Sequence, residues 1–218
     1  YEYNFLGRNM AFGGFYQNNG YHSYALNFRA PYLFSNRLGL AFNHQNWTSE
    51  EPLYFNNGSA NYKYQNISFE TMLLYEAGFK NTFEFGINFF KEKYNYKSGL
   101  TSTTIPQELN INKTLLKFIY SYDGLEYYYQ YLHGFKNQLF VEMVTTENEF
   151  QEDFFIAWND LFYFRRMGAK GNWANRLRIG LSTNNESPFA PFALDNNVNL
   201  RGVGILVDRG TGSIIYNT

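Results

Sequence analysis

Few residues in this 218-residue chain are arranged for covalent chemistry. There is no cysteine, which removes disulfides, thiolate metal sites and cysteine nucleophiles together. The three histidines, His22, His44 and His133, fall in separate segments without metal-ligand spacing. Ser23 lies beside His22 and near His44, the kind of pair a barrel lipase would need, but no Gly-x-Ser-x-Gly elbow or Walker loop accompanies it. Gly210-Thr211-Gly212-Ser213 reads as a loop end rather than a phosphate cradle. Sequons at Asn46, Asn57, Asn66, Asn112 and Asn185 are what chance supplies in an Asn-rich chain. The reading is therefore no catalytic residue, no metal and no cofactor. What remains is charge at strand spacing: Arg29, Glu84, Lys117, Glu142, Arg176 and Arg178, each alternating with Phe, Tyr, Leu or Ile. A further arginine, Arg201, sits in the loop run Asn199-Leu200-Arg201-Gly202-Val203-Gly204. A guanidinium offers five donors in a planar fork and can hold several acceptors in a confined, wet space. Gly202 beside it permits a sharp turn. The plain alternative is a solvated arginine on a surface loop.

The elements that must position these residues have period two almost throughout. Phe83, Phe85, Ile87 and Phe89 oppose Glu84, Gly86, Asn88 and Phe90; Leu177, Ile179 and Leu181 oppose Arg176, Arg178, Gly180 and Ser182. That is the strand signature, and no stretch offers a capped helix of three turns. Strands are expected near 9–18, 21–32, 37–47, 62–76, 82–95, 113–123, 137–147, 151–164 and 175–183, with another beginning near 213. Connections alternate in character. Asn18-Asn19-Gly20, 48–61, 96–112 and 184–212 fall on one side; the mostly shorter 33–36, 77–81 and 165–174 fall on the other. Within 124–136, also on the short side, Tyr127, Tyr128, Tyr129 and Tyr131 suggest an interface anchor.

Composition narrows the class. The 18 Lys+Arg against 19 Asp+Glu leave a net charge of −1, so no electrostatic case exists for nucleic acid as a partner. Aromatics make 21% of the chain, which suits strands and bilayer interfaces. Mean hydropathy is −0.45 and no apolar run reaches the ~18 residues of a spanning helix. A β-barrel is compatible, because its strands expose only alternate residues to lipid. Tyr1-Glu2-Tyr3-Asn4 lacks a charged and then apolar leader, so the chain reads as a mature or excised piece. A soluble β-sandwich or solenoid would share the alternation. The Phe, Tyr and Leu faces, opposed by large charges suited to a wet lumen, favour the membrane.

The order of motifs adds a resemblance. Asn4-Phe5-Leu6-Gly7-Arg8 precedes a strand, a hairpin and a strand ending Phe28-Arg29-Ala30-Pro31-Tyr32-Leu33-Phe34. This resembles the start of barrels in the BamA/TamA superfamily of outer-membrane insertases and translocases. The stretch from Ala190 to Gly202 looks like that family's sixth extracellular loop, with Asp195-Asn196 where the family has Gly-Gly, Leu200 for Val or Ile, and Val203 for an aromatic. The resemblance implies an all-β, antiparallel transmembrane β-barrel, of which 1–218 would be one domain, incomplete at both ends. It would hold about ten of sixteen strands, from strand three to the start of strand twelve. It implies that 184–212 is a long loop directed into the lumen, with Leu200, Arg201 and Gly202 as its anchor. It places Arg29, Glu84, Lys117, Glu142, Arg176 and Arg178 on the lumen face. It further implies the outer membrane of a Gram-negative bacterium as location. Expected partners are outer-membrane lipid and lipopolysaccharide, substrate polypeptides (outer-membrane or secreted proteins), and accessory lipoproteins or a larger outer-membrane complex. The expected work is insertion or translocation of polypeptides, without enzymatic chemistry. The alternatives are a passive porin-like channel or small-solute transporter, a barrel lipase, and a soluble binding module.

Overall fold

Alternation of large apolar and polar side chains commits this chain to extended backbone, because only a period of two keeps each set on one face. The computed structural model describes residues 10–18, 21–55, 58–101, 106–147, 152–168, 170–184, 192–194 and 208–218. Among these there is no helix. Thirteen strands occur: β1 (Ala11–Asn18), β2 (His22–Ala30), β3 (Leu38–Phe55), β4 (Gly58–Glu76), β5 (Asn81–Gly99), β6 (Glu108–Asp123), β7 (Glu126–Tyr128), β8 (Tyr131–Thr146), β9 (Phe154–Met167), β10 (Gly171–Ser182), β11 (Phe192–Leu194), β12 (Asp208–Gly210) and β13 (Gly212–Asn217).

Ten of them form one antiparallel meander in the order β1-β2-β3-β4-β5-β6-β8-β9-β10-β13, with β7 hairpinned onto β8 and β11 paired with β12 apart from the main sheet. Consecutive strands pair because their connections are short, which leaves antiparallel neighbours as the accessible arrangement. No described strand pairs with the free edge of β1 or of β13, so the sheet does not close on itself. At the lower end lie the β2–β3, β4–β5, β6–β8 and β9–β10 connections; at the upper end lie β1–β2, β3–β4, β5–β6, β8–β9 and β10–β13.

Register sorts the side chains into two faces. One cross-strand row runs Ala11, Arg29, Ala41, Met72, Gly86, Lys117, Glu142, Ile156 and Ser182. The adjacent row, on the opposite face, runs Phe12, Phe28, Phe42, Thr71, Ile87, Leu116, Met143 and Phe155. The sheet curls toward the first face. Arg29 on β2 and Glu84 on β5 are three strands apart, ~14 Å on a flat sheet, yet their side chains meet at 2.7 Å. Ile119 on β6 likewise packs against Ala41, Met72 and Leu74 of β3 and β4. Gly86 contributes to this approach, since a Cβ there would run into Met72 and the Thr71 carbonyl.

The outer face is a continuous apolar band near the lower end. On β4 it carries Ile67, Phe69, Leu73 and Tyr75; on β5 Phe83, Phe85, Ile87 and Phe89; on β6 Leu116, Phe118 and Tyr120. Aromatic pairs stitch it across strands, with Phe85–Phe118 at 5.0 Å and Phe42–Phe69 at 4.6 Å between ring centroids. Above it the same face turns polar: Lys63 and Gln65 on β4, Lys91 and Lys93 on β5, Asn110 and Asn112 on β6.

The upper strands differ from the sequence reading. Both 48–61 and 96–112 were expected as loops, but β3 and β4 pair as far as Phe55↔Gly58, and β5 and β6 as far as Asn95↔Glu108. The physical reason is a second core on the inner face. Leu53, Tyr62, Tyr64, Tyr94, Leu109 and Ile111 are buried together there, so the turn-like Asn, Ser and Lys residues simply occupy the watered outer positions. A β-bulge at Lys97, skipped between Tyr62↔Tyr96 and Asn61↔Ser98, accentuates the bend.

Candidate functional site: the charged inner face

The concave face of the curled sheet holds the charges singled out by sequence. Arg29, Glu84, Lys117, Glu142, Arg176 and Arg178 all lie on it, carried by β2, β5, β6, β8 and β10. They form three groups. Arg29 donates from Nη2 to Glu84 Oε1 at 2.7 Å and from Nη1 to Oε2 at 3.3 Å, a bidentate pair. Lys117 lies between two carboxylates, 2.5 Å from Glu70 Oε2 and 3.6 Å from Glu142 Oε1. Asn43 Nδ2 donates to Glu70 Oε1 at 2.8 Å, satisfying its other oxygen. Arg176 and Arg178 converge on Asp160, with Arg178 Nε on Oδ1 at 2.8 Å, Arg178 Nη2 on Oδ2 at 2.5 Å and Arg176 Nε on Oδ1 at 3.1 Å.

Two members of these groups were not anticipated. Asp160, only 3% exposed, is the hub of the arginine pair, and Glu70 is the nearer partner of Lys117. The register contained the signal, because Asp160 is the cross-strand partner of Arg178. Higher on the same face, Lys113 pairs with Glu92 at 2.7 Å while the Tyr64 hydroxyl donates to Glu92 at 2.9 Å. Arg29, Lys113, Lys117, Arg176 and Arg178 thus meet Glu70, Glu84, Glu92, Glu142 and Asp160, five cations against five anions among the described residues. Such matching leaves little net field to select one sign of ion. A cleft of about 410 Å³ opens beside Arg29, Glu84, Glu70 and Asn43.

Between the lysine and arginine groups the inner face is apolar. Leu115, Val144, Phe154 and Ile156 form a buried cluster with Phe90, Trp158 and Phe192 packed against it. Phe192 comes from the 184–212 connection, so part of that connection folds back over the concave face. Its ring sits on Gly180, where any Cβ would overlap it. Leu200, Arg201 and Gly202, the expected anchor, lie outside the described residues. Alternation alone puts Gly180 with Arg176, Arg178 and Ser182 opposite Leu177, Ile179 and Leu181; its use as a seat for an aromatic ring depends on a contact between distant segments.

His44 serves locally. It contacts the Tyr24 hydroxyl at 3.2 Å and the Ser68 carbonyl at 2.8 Å. Ser23 exchanges hydrogen bonds with the backbone of Thr48. Among the described residues no group of acidic or histidine side chains could hold a metal ion.

Beyond the band, at the upper end, Lys97 donates to Glu50 and to the Tyr21 hydroxyl, each at 2.7 Å. The ammonium of Lys97 and the Tyr21 hydroxyl hold the Glu50 carboxyl below its ordinary value, and Glu50 in turn raises Lys97. At the lower end Glu76 accepts from the Tyr32 hydroxyl at 2.9 Å and raises its pKa.

Compared with known proteins, the chain matches no protein-family model and no curated relative.

Proposed function

We propose that this sheet is the membrane-spanning wall of an outer-membrane β-barrel of the BamA/TamA kind, working in the insertion or translocation of polypeptides. The observation that carries the membrane part is the outer band of Phe, Leu and Tyr set against an ion-paired inner face. Along β4 the band from Ile67 to Tyr75 covers eight residue steps, ~27 Å at 3.4 Å each. At a strand tilt of ~40° that becomes ~21 Å of height, close to the apolar girdle of such barrels. The polar upper halves of β3 to β6 would then stand clear of lipid on the side of the long 184–212 connection, the extracellular side by the same rule. Lipid does not tolerate unpaired backbone. The proposal therefore requires partners for the edges of β1 and β13, supplied by further strands.

The insertase part is supported by the sequence resemblance and by the fold-back of Phe192 over the inner face. In the proposed mechanism the 184–212 loop, with Arg201 as its anchor, braces the lumen while substrate strands are admitted at a weak seam. The test is the full-length protein in liposomes, with an unfolded outer-membrane protein as client. Faster client insertion than in empty liposomes, reduced by Arg201→Ala, supports the reading. Large conductance unaffected by Arg201→Ala, with no effect on the client, would establish the porin-like alternative instead.

A further inference from the structure

The lower end of the outer face carries a cationic and aromatic cluster that the proposed work does not use. On β9 the outward row runs Leu161, Tyr163, Arg165 from the apolar band to the rim. Arg165 is paired across to Trp173 on β10, and Tyr163 to Phe135 on β8. The Tyr163 and Trp173 rings meet edge to face at 6.3 Å. Trp173 is 43% exposed, and its indole N–H donates to the Thr218 hydroxyl at 2.8 Å, so its ring is fixed without being covered. Lys170 stands in the adjoining turn, exposed.

Charge at this end is lopsided. Arg37, Lys80, Arg165 and Lys170 make no ion pair among the described residues. The described acids at this end are Glu76, hydrogen-bonded by Tyr32, Glu126, hydrogen-bonded by Tyr128, and Asp123, held by Lys136 and the Leu125 amide. Exposed aromatics at the turn tips, Phe34, Phe79 and Tyr129, extend the apolar band to this rim.

An aromatic row followed by an unneutralised arginine, on a face that is apolar on its other side, matches a phospholipid in its parts. Acyl chains lie along Leu161 and Tyr163, ring edges sit at the glycerol level, and the guanidinium meets the phosphate. We infer that the outward face of β8, β9 and β10 at the lower rim is a binding site for an anionic phospholipid headgroup, with Arg165 and Lys170 as its cationic groups. This rests on the membrane reading above. It also fixes the leaflet, since the short turns then face the phospholipid side of the membrane.

Trp173 supplies the probe. The full-length protein, with Trp47→Phe, Trp158→Phe and any tryptophan outside these 218 residues also replaced by Phe to isolate its signal, is placed in vesicles containing dibrominated phosphatidylglycerol or dibrominated phosphatidylcholine. The expected result is preferential quenching by the anionic lipid, about fivefold in relative affinity per cation. Arg165→Gln with Lys170→Gln should bring that preference to about one, Arg165→Lys should keep it, and Lys91→Gln with Lys93→Gln at the other end should leave it unchanged. Equal quenching by the two lipids, or a preference that survives Arg165→Gln with Lys170→Gln, overturns the site. No quenching by either lipid overturns the membrane reading instead.

Discussion

Asp160→Asn is the most informative single substitution on the inner face. Asp160 is 3% exposed and accepts three hydrogen bonds from two guanidiniums. Asparagine keeps the shape and removes the charge. Arg176 and Arg178 are two residues apart on one face of β10, which places their charges ~7 Å apart. At an effective dielectric of ~20 their uncompensated repulsion is ~2.4 kcal/mol. Loss of charge-assisted bonding adds ~1.5–3 kcal/mol. Both arginines are about a fifth exposed, so water returns some of this. The net expected loss is ~3 kcal/mol, at the lower edge of what breaking a buried pair costs. The assay is reversible urea unfolding in lipid vesicles, followed through Trp158 in a background where the other tryptophans are Phe; Trp158 stacks on Phe140 at 4.6 Å within the same sheet. Asp160→Asn combined with Arg178→Gln should recover at least half of the loss, because the repulsion is then gone. A loss below ~0.5 kcal/mol, the scale of a solvated surface pair, would refute the view that this group is a structural strut.

Lys117→Met should cost ~1–3 kcal/mol in the same assay, since it leaves Glu70 and Glu142 facing each other without their cation; adding Glu142→Gln should restore part of it. Gly180→Val should cost ~1–3 kcal/mol by driving the Phe192 ring off its seat, and the cost should shrink when Phe192→Ala is already present; strictly additive losses would show that the two do not touch. At the upper end the Glu50 carboxyl has a depressed pKa through Lys97. Its stabilising contact is therefore complete above the unfolded value of 4.5 and is lost as pH falls through the lower folded value. Amide exchange around Glu50 and Lys97 should accelerate over that acid range and be pH-insensitive there in Glu50→Gln.

The lower halves of the strands were legible because both faces speak at once. Phe83, Phe85, Ile87 and Phe89 mark one side of β5, and Glu84 with Asn88 marks the other. The upper halves of β3 to β6 were not. Asn61, Lys97 and Ser98 look like loop residues, and Leu53, Ala60, Leu109 and Ile111, inside the stretches expected as loops, show no strand role until their shared cluster with Tyr62, Tyr64 and Tyr94 is known. The six charged candidates share one face, as alternation requires, but their partners depended on register. Glu70 reaches Lys117 across an intervening strand, a contact that no local spacing encodes. The short β7 hairpin was hidden in an aromatic-rich connection, where Tyr128 stacks on Tyr131 at 4.5 Å.

The central claim is that the outer face of this sheet meets lipid and the inner face does not. These 218 residues contain no cysteine, so single cysteines can be placed and spin-labelled once any cysteine elsewhere in the full-length protein is replaced. Labels at Phe85, Ile87 and Phe89, at Glu84 and Asn88, and at Lys91 and Lys93 sample the band, the inner face and the polar extension of one strand. Accessibility to oxygen against a water-soluble nickel chelate should be high at 85, 87 and 89 in the full-length protein in vesicles. It should fall at 84 and 88, with the chelate favoured at 91 and 93. Chelate access at 85, 87 and 89 equal to that at 91 and 93 would contradict the account.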